Sequence, residues 1–155
     1  MKRKIIGLLI ALAIFIVGCS NERSNFGPLR SAHNHADIKA YILGNAIDFS
    51  LPQYQLKDDL THFENRDGDV IHTHATGITL GYILETLGME ITEECIKTGR
   101  GSKYCNKDNA RLQVFVKNLN SDWEKIYYYP DYIIQDMDKI LVTYGTESEE
   151  EINKQ

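Results

Sequence analysis

Apolar positions along this chain recur mostly with a period of two, in short runs broken by Gly, Asn and Asp, and only once with the period of a helix. Residues 38–43 form the first predicted strand, Gly44 and Asn45 the turn after it, and residues 46–49 its return, so the three make a hairpin. Pro52 and Tyr54 fall in a loop. Residues 61–64 and 70–74 are two more short strands flanking Asn65-Arg66-Asp67-Gly68-Asp69, a second hairpin. The helical stretch follows. Leu80, Ile83, Leu84 and Leu87 recur at i, i+3, i+4 and i+7, Thr79 stands where a capping residue belongs, and Gly88 where a left-handed terminating residue is wanted. A lone helix with one apolar stripe has to lay that stripe on a sheet. Residues 89–92 resume extended structure, and residues 111–117 alternate with Leu112, Val114 and Val116 on one face. Residues 123–129 are aromatic-rich and less regular, and Asp136-Met137-Asp138 turns the chain into a last strand over 139–144. Residues 147–155 are charged and predict a frayed, disordered tail. Several hairpins, one short helix across a sheet and a closing strand predict an α+β domain.

The stretch Thr79-Leu-Gly-Tyr-Ile-Leu-Glu-Thr-Leu-Gly88, with the later Asp136-Met-Asp-Lys-Ile-Leu-Val-Thr-Tyr144, resembles ubiquitin-like β-grasp domains. That resemblance implies a small mixed β-sheet with the helix packed across it and the last strand beside the first hairpin. Asp136-Met137-Asp138 stands in place of the usual Gly-Asp turn.

The N-terminus follows another pattern. Lys2, Arg3 and Lys4 precede an uncharged, mostly aliphatic run over 5–18, shorter than the ~20 residues a permanent helix needs to cross ~30 Å of hydrocarbon. A basic segment followed by a short apolar one has the form of a secretory signal peptide. Ile16-Val17-Gly18-Cys19 resembles the bacterial lipobox. The resemblance implies cleavage before Cys19, acylation of its thiol, and a chain held by lipid on the outer side of a cell membrane, where two acyl chains suffice for stable anchoring. Ser20 rather than Asp follows, which in a host with two membranes implies sorting to the outer one. The expected organisation is a signal peptide over 1–18, the lipidated Cys19 and a flexible tether over 19–32, one globular domain over 33–146, and the tail over 147–155.

Composition changes this picture in two ways. Without residues 1–18, 22 acidic residues stand against 14 basic ones, a net charge of −8 against −5 for the whole chain. Such an acidic surface argues against nucleic acid or anionic lipid as a partner. With Cys19 acylated, Cys95 and Cys105 remain, and an even pair in an exported protein reads as a disulfide. Gly99 and Gly101 mark a hairpin-like turn between them. Their spacing is not Cys-x-x-Cys, so a structural bridge is expected over a redox-active one.

All five histidines lie between residues 33 and 74, four of them in two His-x-His pairs: His33-Asn34-His35 and His72-Thr73-His74, with His62 between. On a strand, positions i and i+2 share a face at roughly 7 Å, so two such imidazoles can share one metal ion. If residues 65–69 are a five-residue loop, His62 faces His72 and three imidazoles share one side of a ribbon. A four-residue loop would remove His62 from that side. In a β-grasp sheet the first strand is central, so its start, with His33, His35 and Asp37, approaches the second hairpin. Four imidazoles, or three and Asp37, would then meet. Neutral imidazole suits copper(II) and zinc(II), with copper(II) favoured by the affinity order.

Enzyme readings each lose a required element. His33-Asn-His35-Ala-Asp37 resembles the opening of a metallo-β-lactamase motif, but Ile38 stands where its last His belongs. Amidohydrolases need a barrel of ~250 residues, and no Glu follows His74 at cupin spacing. No nucleophile elbow, P-loop or dinucleotide fingerprint is present. Residues 33–50, with Thr61-His-Phe-Glu64 and Ile71-His-Thr-His-Ala-Thr-Gly77, resemble a family of small exported archaeal and bacterial proteins, over about residues 33–145. Members are sometimes catalogued as protein-disulfide-isomerase-like, which would imply thiol–disulfide chemistry at Cys95 and Cys105. The expectation is therefore a non-enzymatic, membrane-tethered domain. It binds copper(II) or zinc(II) through His33, His35, His72 and His74, with His62 and Asp37 as further ligands. The alternatives are the thiol–disulfide protein and a protein-interaction module using the aromatic residues of 123–129.

Overall fold

The computed structural model describes residues 26–152. The signal segment, the lipobox with Cys19 and the start of the tether lie outside the described residues, as do residues 153–155. The strands in chain order are β1 (Asn34–Ile42), β2 (Asn45–Ala46), β3 (Thr61–His62), β4 (Val70–Thr73), β5 (Glu90–Ile91), β6 (Cys95–Lys97), β7 (Lys103–Cys105), β8 (Arg111–Lys117), β9 (Glu124–Ile126) and β10 (Lys139–Gly145). Helix α1 (Leu80–Thr86) precedes β5, and a short helix α2 (Glu149–Ile152) follows β10. The domain is mixed α+β, as the pattern predicts.

The main sheet has the order β3-β4-β1-β10-β8-β9, with β2 also paired to β1, and β5-β6-β7 form a separate three-stranded sheet. The first and last strands, β1 and β10, pair in parallel at the centre, Ile38 beside Ile140 and Ala40 beside Val142. Alternation then sorts the side chains. Ala36, Ile38, Ala40 and Ile42 of β1 turn into the core with Ile71, Leu112, Val114, Val116, Ile140 and Val142, and α1 covers them with Leu80, Ile83 and Leu84. His35, Asp37 and Lys39 point to the other face.

Helix α1 has the predicted ends. Thr79 Oγ1 accepts from Tyr82 N at 3.2 Å, a cap of about 1 kcal/mol, and Gly88 adopts φ +72° after the last turn. Phe49 leaves the first hairpin to stack on Phe63, ring centroids 5.0 Å apart, so the return strand is shorter than 46–49. Its turn sits at Leu43 (φ 50°) and Gly44 (φ 75°), one residue earlier than the dipeptide suggests.

Other boundaries also differ from expectation. β1 begins at Asn34 instead of residue 38, because Asn34 to Asp37 pair with Thr73 to Val70 of β4. The tether is docked from Phe26 onward. Its ring lies 4.5 Å from that of Tyr82, Gly27 N donates to Thr76 O, and Arg30 N donates to His74 O. The tail carries α2, whose start is a capping box: Glu151 N donates to Ser148 Oγ, and Ser148 N donates to Glu151 Oε2 at 2.8 Å. Ile152 is buried, and Lys125 holds Glu149. Among the described residues no helix is long and apolar enough to cross a membrane.

Gly81 is where α1 approaches the 3-10 turn Tyr129–Asp131 most closely, and a Cβ there would stand 2.6 Å from Pro130 O, a backbone atom. Gly81→Ala is expected to destabilise the domain by about 1–3 kcal/mol through this overlap despite alanine's better helix propensity. Urea unfolding midpoints of the two proteins check it.

Candidate metal centre

Period-two alternation carries the histidines to the face opposite the core. In β4 Ile71 and Thr73 are buried, so His72 and His74 face outward. In β3 and the residues after it Thr61 and Phe63 are buried, so His62 and Glu64 face outward. Strand β1 does the same for His35 and Asp37, and His33 immediately precedes it. Register then aligns them. His62 lies opposite His72, as a five-residue loop over 65–69 requires, and His72 lies opposite His35 on its other side. Asn65 and Arg66 both take positive φ to close that loop.

The result is a continuous cluster of five imidazoles. Ring centroids are 4.6 Å apart for His35 and His72, 4.9 Å for His33 and His35, 5.1 Å for His33 and His74, and 5.0 Å for His62 and His74. His62 and His72 stack at 6.1 Å. One ring nitrogen from each of His33, His35 and His72 lies within 4.8 Å of the other two. Three nitrogens bound tetrahedrally at ~2.1 Å are ~3.4 Å apart, so closing on an ion requires each ring to move by about an ångström, within reach of a small side-chain rotation.

Neighbouring groups hold the rings. Asp58 O accepts from His62 Nδ1 at 2.8 Å. A carbonyl only accepts, so Nδ1 carries the proton and Nε2 presents its lone pair. Asp58 is itself fixed, its carboxylate accepting from Leu60 N at 2.8 Å and Tyr82 Oη at 3.2 Å. Asp58 is thus a positioning residue that links α1 to His62. His35 is held by its backbone: its N donates to Asp136 Oδ1 at 2.9 Å, and its O accepts from Met137 N at 2.7 Å. Met137 takes φ 65° there, the left-handed conformation the usual glycine would supply.

Glu64 is a member of the site that the sequence reading does not single out. Its carboxylate lies 3.6 Å from His62 Nε2 and 3.8 Å from His72 Nε2. The signal for it is the spacing His62-Phe63-Glu64, which puts both side chains on one face. Asp37 shares the face but pairs with Lys139 at 3.5 Å, and it is not among the three residues whose ligand atoms converge. His62 and His74 adjoin that trio through their rings.

Burial favours the neutral imidazole at His72 and His74. Burial lowers the pKa of His72, with His35, His62 and His74 adding to the lowering and Glu64 opposing it. Burial also lowers that of His74, followed by the neighbouring His62 and His33.

The other candidate features lie elsewhere. Cys95 and Cys105 are direct cross-strand partners in the small sheet and are disulfide-bonded, Sγ to Sγ 2.09 Å. Of the aromatic residues over 123–129, Tyr129 is core, whereas Trp123, Tyr127 and Tyr128 are exposed. No protein-family model, curated protein or solved structure matches the chain.

A histidine whose folded pKa is lowered binds fewer protons in the folded than in the unfolded chain between the two values, so stability rises with pH there. The metal-free protein is therefore expected to be most stable above about pH 6.5, the unfolded value, and to lose stability as pH falls below it. Thermal melts at about pH 7.5 and 5.5 check this, and the His72→Gln, His74→Gln double variant is expected to flatten the difference.

Proposed function

We propose that this protein binds a divalent transition metal, copper(II) or zinc(II), on the outer face of its sheet through His33, His35 and His72. The observation that carries the reading is the convergence of those three ring nitrogens within 4.8 Å from two strands. Imidazole donors without a free thiolate select copper(II) or zinc(II) over softer or harder ions. Three protein ligands leave a coordination position open, which suits sequestration or delivery of an ion that must enter and leave. The lowered pKa of His72 supports the same role, because a ligand has to be deprotonated before it can bind.

The lipobox reading puts this site on an exported domain held at a membrane by acylated Cys19, facing the periplasm or the extracellular side. Labile copper and zinc are accessible there. The acidic balance of the chain, 22 acidic to 17 basic residues, attracts cations and disfavours nucleic acid. The β-grasp reading of the fold is supported by the parallel central pair β1 and β10 and by helix α1, whose apolar residues join the core of the sheet. Both devices matter to the site, since the central position of β1 is what brings His33 and His35 beside the second hairpin.

Calorimetric titration of the full chain, solubilised in mild detergent and stripped with chelator, tests the proposal. Zinc(II) and copper(II) are expected to bind with Kd below about 1 μM, that is more than ~8 kcal/mol. His35→Gln is expected to weaken binding at least about tenfold, ~1.4 kcal/mol. Absence of binding tighter than about 100 μM by the unaltered chain would sink the reading.

A further inference from the structure

The trio of His33, His35 and His72 uses three of the five clustered imidazoles. The remaining two, His62 and His74, are neighbours with ring centroids 5.0 Å apart, and the Glu64 carboxylate stands beside His62. His62 is the most strongly oriented ring of the five. Its Nδ1–H is committed to Asp58 O, so its free lone pair is on Nε2, and Nε2 faces Glu64 Oε2 at 3.6 Å. A lone pair and a carboxylate repel unless a positive charge lies between them. A proton or a metal ion supplies it. The same carboxylate reaches His72 Nε2 at 3.8 Å through its other oxygen, so Glu64 stands between the two groups of rings.

We infer that the cluster holds two metal ions: one on His33, His35 and His72, and a second, adjacent one on His62, His74 and Glu64. The inference rests on the metal-binding reading above and extends it to a second site. Charge supports the pairing. Two divalent ions side by side repel, and an anionic ligand at their junction offsets that repulsion where a sixth imidazole would not. Glu64 is that ligand, partly buried at 36% side-chain exposure, while His62 and His72 are exposed by only 13% and 16%. The two donor sets differ. Three imidazoles form the softer site and suit copper(II), whereas two imidazoles and a carboxylate suit zinc(II).

Metal content of the full chain, loaded with excess zinc(II), desalted and measured by mass spectrometry, separates the outcomes. Two ions per chain are expected for the unaltered protein, and one for the His62→Gln, His74→Gln double variant. Glu64→Gln, which leaves both ring pairs in place on an accessible side chain, is expected to lose the second ion preferentially and serves if the double variant folds poorly. One ion in the unaltered chain, removed by His35→Gln, would overturn the second site and leave the first. No retained ion would overturn both, and two ions retained by both the double variant and Glu64→Gln would remove His62, His74 and Glu64 from the site. Loading with one equivalent of copper(II) followed by zinc(II) is expected to give one of each, whereas refusal of any second ion overturns the pair.

Discussion

The antiparallel pairing of β1 with β4, in the register that sets His35 opposite His72, is the constraint on which the rest of this molecule depends. Because side chains alternate across a strand, a slip by one residue would turn Ala36, Ile38 and Ile71 out to solvent and the histidines into the core. The apolar face therefore enforces the polar one. Burying a large aliphatic side chain is worth about 1.5–3 kcal/mol, β1, β4 and β10 together bury Ile38, Ile42, Ile71, Ile140 and Val142, and repulsion among imidazoles does not compete with that sum. Stability of the core and geometry of the histidine cluster are two faces of one register.

The cluster is held at its margins by bonds that do not themselves bear on a ligand. The turn of Asp136 to Asp138 clamps the start of β1 through His35 N and Asp37 N. Arg30 N closes on His74 O, so the segment leading in from the N-terminus helps fix the outer strand end. Asp58 joins His62 to Tyr82 of α1. Each of these ties a histidine of the cluster to a different part of the domain, which would lower the cost of ordering the rings around a bound ion.

Much of this was legible in local pattern. The capped helix with its stripe of Leu80, Ile83 and Leu84 follows from spacing alone, and the opposition of His62 and His72 follows once the loop over 65–69 is given five residues. What pattern does not carry is pairing between distant segments. Residues 34–37 read as the lead-in to a strand beginning at 38 until β4 is beside them, and Phe26 looks like tether until Tyr82 is there to receive it. Spacing from His62 puts Glu64 on the right face, but its part depends on His72 across the ribbon, which local pattern does not carry. The turn into α2 is different. Its capping box, Ser148 to Glu151, is a local signal outweighed by the charge of the segment around it, and only the burial of Ile152 shows that the segment has a place to dock.

The proposed metal-responsive unit is the trio of His33, His35 and His72, and imidazole nitrogen NMR reads it directly. Long-range proton–nitrogen spectra of the full chain, recorded as zinc(II) is added to one equivalent, are predicted to show the ring nitrogens of His33, His35 and His72 moving together toward metal-bound values. Movement of a single ring, or of rings uncorrelated with one another, would contradict the account.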